Sequence, residues 1–353
     1  MGKRVLVMAG GTGGHVFPAL AIVKELQARG HEVQWLGTKG RIEEQVVPKE
    51  GITLHYIDVK GVRRNGVMSL LKAPFMVMHA IFQAKKVIAA FKPDVVIGFG
   101  GYASGPGGMA AYLSSVPVIL HEQNAAAGMT NRILSKVAYK ILLGVGQAFS
   151  GPKVESVGNP VRAPILALHA QERNFAHADG KTRILIIGGS LGAKALNEQV
   201  PLALKHFKQD EISVLHQCGK GQSQATAALY EGASFDYQTS DFIEDMAQAY
   251  SNADLVICRA GASTVSELSV AKLPAIFVPL PTAVDDHQTK NALSLVNAQG
   301  AKLLAQRDLN EQSLYELIAS LRPVNTLSAM SQACASQAKC DATTRVCQII
   351  EQL

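Results

Sequence analysis

Short apolar runs alternate with longer amphipathic stretches along the whole chain, and two of these runs open into glycine-rich turns. Arg4-Val-Leu-Val-Met-Ala leads into Gly10-Gly11-Thr12-Gly13-Gly14-His15. Far downstream, Arg183-Ile-Leu-Ile-Ile leads into Gly188-Gly189-Ser190-Leu191-Gly192-Ala193. Runs this short, uniformly apolar and largely β-branched, predict strands buried on both faces, as in a parallel sheet. Glycine lets the backbone approach a ligand closely, and the helix that follows offers N–H groups and a positive dipole end to an anion. Neither loop has the spacing Gly-x-Gly-x-x-Gly, so a nicotinamide dinucleotide is not the first expectation. For either loop alone, a tight turn without a ligand is the plainer alternative.

The remaining pattern extends this scheme. It predicts a strand at Val5–Met8, a helix from Pro18 to Arg29 stopped by Gly30, and a strand at Val33–Leu36. Residues 40–50 read as helical, Leu54–Val59 as a strand, and 67–91 as one long helix or two. Strand Val95–Ile97 enters a third glycine-rich segment, Gly98 to Gly108, with a helix from Met109. Strand Val118–Leu120 runs into His121-Glu122-Gln123-Asn124. Gly158 to Pro164 punctuates the chain as a hinge would, and 169–182 reads as a surface loop. Strands at Ile184–Ile187, Ser213–Gln217, up to Cys258 and across Leu273–Pro279 follow, with a final helix over roughly 326–352. Alternating β and α throughout predict a doubly wound α/β class: two Rossmann-like domains facing a cleft, with ligands beyond the C-terminal strand ends. The expected boundaries are 1–160 and 161–337. The final helix fits either domain, and its last part, 338–353, is assigned to the first.

Composition narrows the class. A chain of 353 residues, 48% hydrophobic and 18% charged, can fill two ordinary cores. The start has only a strand-length apolar run before its glycines, so no signal peptide is expected, and no run reaches the ~18 apolar residues of a spanning helix. Five cysteines, with no Cys-x-x-Cys pair, read as reduced thiols of a cytoplasmic protein. The net charge of +6 is unevenly spread: residues 1–161 hold 18 Lys/Arg against 9 Asp/Glu, and residues 162–353 hold 16 against 19. Between Asp58 and Asp94 no acid occurs. Lys72, Lys85 and Lys86 there are interleaved with Leu70, Leu71, Phe75 and Met76, and Lys140 is expected to join the ring of cations. Basic plus bulky apolar residues predict contact with an anionic lipid surface; a core helix with a basic outer face is the alternative. Nucleic acid is not expected, because no base-reading side chains are interleaved.

The sharpest chemistry lies in the second half. Past the strand ending at Cys258 comes Gly261-Ala262-Ser263-Thr264-Val265-Ser266-Glu267. Small and hydroxyl residues at a strand-to-helix turn suit a diphosphate, and a carboxylate in the next turn suits a ribose diol. Asp285 to Ala292 opens a helix whose polar start suits sugar hydroxyls; plain capping is the alternative. In the first half, His15 at the mouth of a glycine loop is a candidate general base, its ordinary pKa being near ~6.5.

These motifs together, with Phe99-Gly-Gly-Tyr-Ala-Ser-Gly-Pro, His121–Asn124, Val157-Gly-Asn-Pro-Val-Arg162 and His287-Gln288, resemble the MurG family of peptidoglycan N-acetylglucosaminyltransferases along nearly the whole chain. The resemblance implies a GT-B architecture and an inverting transferase with no cofactor and no metal. Two features of the sequence agree: there is no Asp-x-Asp, and no pair of Glu eight positions apart. The implied donor is UDP-N-acetylglucosamine and the implied acceptor is undecaprenyl-diphosphate-linked N-acetylmuramoyl-pentapeptide, met at the cytoplasmic face of the cell membrane. Other cell-wall enzymes are implied as partners. By position, Thr12, Gly13 and Gly14 would lie against the donor diphosphate and the acceptor. Asn124 and Gln288 would hold the N-acetylglucosamine, and Arg162 and Ser190 would meet the phosphates. Phe242 and Ile243 would border the uracil, Glu267 would take the ribose, and Ala262 to Ser266 would wrap the diphosphate. Gly100, Gly101, Tyr102, Ser104 and Gly105 would form an acceptor pocket. Leu191 departs from the family, many members of which carry glutamine there. Two other readings stay open: a UDP-N-acetylglucosamine 2-epimerase-like enzyme, and a non-enzymatic nucleotide-sugar binding protein.

Overall fold

The computed structural model describes residues 2–59, 66–189 and 191–353, with backbone only for 66–73. The chain divides into two units: Met1–Val161 with Asp341–Leu353, and Arg162–Cys340.

Unit one is built on β1 (Arg4–Met8), β2 (Glu32–Gly37), β3 (Thr53–Tyr56), β4 (Val95–Gly98), β5 (Val118–Glu122), β6 (Lys140–Leu143) and β7 (Val154–Ser156). They form one parallel sheet in the order β3-β2-β1-β4-β5-β6-β7. β1 feeds two cores by alternation. Val5 and Val7 pack with Val16, Leu20 and Val23 of the helix Gly13–Ala28, and with Val346 and Ile350 of the helix Ala342–Glu351. Leu6 and Met8 pack on the other face with Ala80, Ala84 and Ile88 of the helix Gly66–Phe91. That double burial is why β1 is apolar at every position after Arg4. Strand order reverses between β1 and β4, so the loops after both strands meet at their C-terminal ends.

Unit two repeats the plan with β8 (Thr182–Ile187), β9 (Ile212–Gln217), β10 (Asp236–Ser240), β11 (Leu255–Cys258), β12 (Ala275–Phe277) and β13 (Ala301–Leu303). The sheet is parallel in the order β10-β9-β8-β11-β12-β13. Ile184 and Ile186 pack on Leu196, Val200 and Leu204 of the helix Lys194–Leu204 and on Leu314 and Ile318 of the helix Glu311–Leu321.

Three boundaries differ from the sequence reading. The first helix starts at Gly13 rather than Pro18, which lies inside it in the second turn, where its missing N–H forgoes one i→i−4 hydrogen bond. The helix expected from Met109 starts at Ser104. Its glycines serve packing: a Cβ on Gly107 would lie 2.4 Å from Met8 Sδ, and one on Gly108 would lie 2.7 Å from Leu134. The single final helix is two, Val324–Ser336 and Ala342–Glu351. Leu327, Met330 and Cys334 are buried on the first, Val346 to Ile350 largely on the second, and exposed Cys340 lies in the break.

Candidate active site

In unit one, three segments converge where β1 and β4 end. Gly11 turns the first loop with φ +90°, a conformation open to glycine. Gly101, with φ +86°, presses on the same loop: a Cβ there would lie 2.2 Å from the Gly10 carbonyl oxygen. The third segment holds Glu43, which is fully buried. Its carboxylate accepts from Gly11 N at 3.0 Å, Thr38 N at 3.1 Å and Thr38 Oγ1 at 2.8 Å.

His15 stands in the first turn of the helix Gly13–Ala28. Its Nδ1 is 3.2 Å from the Gly10 carbonyl oxygen and 3.4 Å from Thr12 Oγ1. A carbonyl only accepts, so Nδ1 is the donor in the Gly10 contact. Nε2 lies toward Gly100, where a Cβ would come within 3.1 Å. Tyr102 is exposed, with the Arg41 guanidinium 5.5 Å from its ring centroid. Gly105 lies one residue into the helix Ser104–Leu113. Ser104 departs from the expected acceptor role. It is fully buried, and its Oγ lies 3.0 Å from Met8 O and 2.7 Å from Gly100 O, so it braces the loop from behind.

The segment His121–Asn124 is mostly framework. His121 is fully buried, stacks on Phe99 with centroids 5.2 Å apart, and donates from Nε2 to Gly158 O at 3.0 Å. Burial pushes its pKa down to about 4, so the ring is neutral. Glu122 is buried and accepts from Asn131 Nδ2 at 2.9 Å, Gly128 N at 3.1 Å and Asn124 N at 3.2 Å. Asn124 is half-buried, with Nδ2 3.4 Å from Glu122.

On the helix Gly66–Phe91, Phe75 is exposed, Met76 is half-buried, and Lys85 and Lys86 are exposed. The side chains of Leu70, Leu71 and Lys72 lie outside the described residues. Lys140 departs from the expected ring of available cations: its Nζ pairs with Glu155 at 2.7 Å on the neighbouring strand.

The remaining residues expected at the donor lie in unit two. A cavity of about 600 Å³ is lined by Gly188, Gly189, Leu191, Gly192, Arg259 and Gln288, among others. Ser190 lies outside the described residues. Gly192, with φ +77°, presses on the next loop, since a Cβ there would lie 2.2 Å from Cys218 O. Gln217 clamps the glycine turn: Oε1 accepts from Gly189 N at 2.9 Å, and Nε2 donates to Gly189 O at 3.0 Å and Asp241 O at 2.8 Å. Asp241 accepts from Gly221 N at 2.6 Å and Ser223 N at 2.9 Å. The Ser223 hydroxyl and these N–H groups hold its pKa at about 2. Phe242, exposed, and Ile243, half-buried, follow directly.

Ala262 to Ser266 start the helix Ala262–Val270 directly after β11. Ala262 and Val265 are buried, and Val265 N donates to Gly261 O at 2.9 Å, so Val265 belongs to the helix framework. Glu267 accepts from Arg162 Nη2 at 3.1 Å and from Tyr250 Oη at 3.0 Å. Burial raises its pKa, while Arg162 and the Tyr250 hydroxyl pull it down. Arg162 is itself half-exposed. The structure thus brings Arg162, Glu267 and the 262–266 turn together.

Glu43, Gln217 and Tyr250 were not singled out in the sequence. Gln217 ends a strand, where a polar residue reads as the strand's limit. Glu43 stands beside Arg41 and Glu44, where an acid reads as solvent-facing. No sequence signal distinguishes Tyr250.

Two family models match: the glycosyltransferase family 28 N-terminal domain over residues 5–143 and its C-terminal domain over residues 183–346. The UDP-N-acetylglucosamine--N-acetylmuramyl-(pentapeptide) pyrophosphoryl-undecaprenol N-acetylglucosamine transferase of Pseudoalteromonas atlantica is 49% identical, covering 99% of this chain and 96% of that protein. The crystal structure of Acinetobacter baumannii MurG superposes with a TM-score of 0.87 at 42% identity, covering 99% of this chain and all of that one. A Neisseria meningitidis UDP-GlcNAc 2-epimerase bound to UDP-GlcNAc reaches a TM-score of 0.66 at 15% identity, over 99% of this chain and 100% of that one. That likeness is one of fold alone, so the epimerase reading gains only shared architecture. The two parallel-sheet α/β units are those of a GT-B protein, and the chain belongs to the MurG family within glycosyltransferase family 28.

Proposed function

We propose that the protein transfers N-acetylglucosamine from UDP-N-acetylglucosamine to undecaprenyl-diphosphate-linked N-acetylmuramoyl-pentapeptide, with inversion, in peptidoglycan synthesis. The observation that carries this reading is 49% identity to a transferase of that name across nearly the full length of both chains. Its chemistry is a single displacement. An acceptor hydroxyl attacks the anomeric carbon, its proton passes to His15 Nε2, and the bond to UDP breaks. The leaving diphosphate gains negative charge, which needs preorganised donors. Arg162 and the N–H groups opening the helix Ala262–Val270 supply them, and Glu267 holds the ribose. No step uses a metal.

The acceptor's lipid keeps the reaction at a bilayer surface. Among the described residues, no helix is long and apolar enough to cross a membrane. On the strength of that lipid-linked acceptor, we place the enzyme peripherally on the cytoplasmic face. An exposed stripe on one helix supports this: Phe75, Met78 and Phe82 are 76%, 67% and 57% exposed, with Lys85 and Lys86 beside them.

The test is incubation with labelled UDP-N-acetylglucosamine, with and without the lipid-linked acceptor. Acceptor-dependent transfer of label is expected. Free N-acetylmannosamine would instead make the protein an epimerase, and binding without turnover would make it a scaffold.

A further inference from the structure

Gln288 stands in the first turn of the helix His287–Asn297, and its Oε1 accepts the Leu280 N–H at 2.9 Å. A carboxamide has one acceptor end and one donor end. With Oε1 tied to the backbone, the NH2 end is the one presented to a ligand. The orientation of Gln288 therefore depends on where Leu280 sits.

Leu280 follows a strapped segment. Arg259, just beyond β11, donates from Nη1 to Val278 O at 2.8 Å and Pro279 O at 3.1 Å, and from Nη2 to Gln306 at 2.7 Å. All three acceptors are neutral. The guanidinium is half-buried, and burial pulls its pKa down. A cation kept in such a place without a carboxylate in these bonds is costly, and three converging acceptors offset the cost.

The far end of the loop is also constrained. Asp285 and Asp286 both hold left-handed backbone, with φ +54° and +52°. Two successive non-glycine residues in that region are strained and persist only where their surroundings fix them. Thr289 Oγ1 donates to Asp286 Oδ1 at 2.7 Å, and Lys290 Nζ to Asp285 O at 3.0 Å. The loop between Pro279 and Gln288 is thus held at both ends. Arg259 and Gln288 line the same cavity.

We propose that Arg259 is a positioning residue for Gln288: it straps the segment 278–280, fixes the amide, and so sets selectivity for the donor sugar rather than affinity for the nucleotide. This rests on the donor-site reading above. Arg259 makes none of its three hydrogen bonds to the Gly188–Gly192 loop, the helix Ala262–Val270 or the loop after β10, so loosening the strap leaves those nucleotide segments in place.

The test uses the full chain with Arg259→Met, Arg259→Lys, Gln288→Ala and the double variant. Calorimetry with UDP is expected to change by less than about twofold in Arg259→Met. The KM for UDP-N-acetylglucosamine is expected to rise about 3- to 10-fold, the worth of one or two neutral hydrogen bonds, with selectivity over UDP-glucose falling in step. Arg259→Lys should recover part of the selectivity, since an ammonium can still reach a carbonyl. In Gln288→Ala, the further loss from Arg259→Met should vanish, because one acts through the other. A proportional loss of UDP affinity would make Arg259 a phosphate contact and overturn the proposal. Additive losses in the double variant, or unchanged selectivity, would overturn it as well. A wild type with no preference for UDP-N-acetylglucosamine would sink the donor reading itself, a separate and visible failure.

Discussion

Both units use a strand, a glycine turn and a helix, yet the side chains that brace the two turns differ in charge. Behind the turn after β1 is the buried carboxylate of Glu43; behind the turn after β8 is the neutral amide of Gln217. A buried carboxylate needs donors around it and repels a second anion nearby. A neutral amide fixes the turn and leaves the field of the following helix start unopposed. The second turn is therefore the better cradle for a diphosphate. The first is better suited to holding a histidine at a defined angle. A glycine-rich turn is not by itself a phosphate site; the group behind it decides what it can hold.

The largest expected effect tests this division of labour. His15→Ala is expected to lower turnover by about 10²–10⁴, the usual worth of a general base. UDP affinity, measured by calorimetry, should stay within about twofold, because the base serves the acceptor. Glu122 is a poor substitute, since its carboxylate is buried and engaged by Asn131, Gly128 and Asn124. An equal loss of UDP affinity in His15→Ala would erase the contrast between the units.

Next comes Glu267→Ala, expected to weaken UDP binding about 10- to 150-fold, the worth of hydrogen bonds to a charged group. The pH dependence sharpens the case. Burial raises the Glu267 pKa from its ordinary value, and Arg162 and Tyr250 offset this only in part. The ionised form accepts the ribose diol, whereas the protonated form is favoured by burial. UDP affinity should therefore start to fall, on acidification, at a higher pH than an unperturbed carboxylate would allow. Titration of the UDP phosphates is common to all variants, so the comparison is wild type against Glu267→Gln. If both lose affinity in parallel from pH 7 to pH 5, Glu267 does not hold the ribose.

The parts of the fold legible in the sequence were those buried on both sides. β1, β4, β8 and β11 are apolar at nearly every position because helices cover both faces, and each was placed within a residue or two. Three strands at or near the sheet edges were illegible for the complementary reason. β10 reads Asp-Tyr-Gln-Thr-Ser and is largely exposed, β7 is half-exposed, and β13 has only three residues. Glycine misled at Gly107 and Gly108, where small size serves helix packing rather than a turn. In the candidate site, residues that would touch a ligand with backbone or charge were legible through their turns. The buried braces were not, because a Glu43 or Tyr250 declares its partner only through contacts distant in sequence.

Exchanging the braces gives a smaller effect. Glu43→Ala would leave the Gly11 and Thr38 N–H groups without their acceptor, at about 1–3 kcal/mol for each orphaned donor. For a unit of this size, each kcal/mol lowers the melting temperature by roughly 2–4 °C. The expected kinetic signature is lost turnover with UDP affinity kept. Gln217→Ala should do the reverse, since it frees Gly189 and the loop carrying Phe242. Calorimetry with UDP beside single-turnover transfer separates the two. Identical profiles would mean that both braces serve general stability, and the contrast in charge would carry no functional weight.

The smallest effect concerns the outer surfaces, where the units also differ. Residues 1–161 carry twice as many basic as acidic side chains, while residues 162–353 are slightly acidic. On the helix Gly66–Phe91, Ala80, Ala84 and Ile88 face the core, and Phe75, Met78 and Phe82 stand on the outside. Lys86 lies 4.7 Å from the Phe82 ring centroid, so charge and apolar surface share one patch. A solvated core helix would put polar residues on that face. Binding to anionic vesicles should be reversible and weakened by salt. Each of Lys85→Glu and Lys86→Glu should weaken it about fivefold or more, since one basic residue near an anionic leaflet is worth ~1 kcal/mol. Phe75→Ser with Phe82→Ser should remove most of the salt-resistant remainder, at about 25 cal/mol per Å² of apolar surface. Lys208→Glu, exposed in unit two, should have no effect. Co-sedimentation that leaves the unit-one variants equal to wild type would assign the membrane contact to another surface.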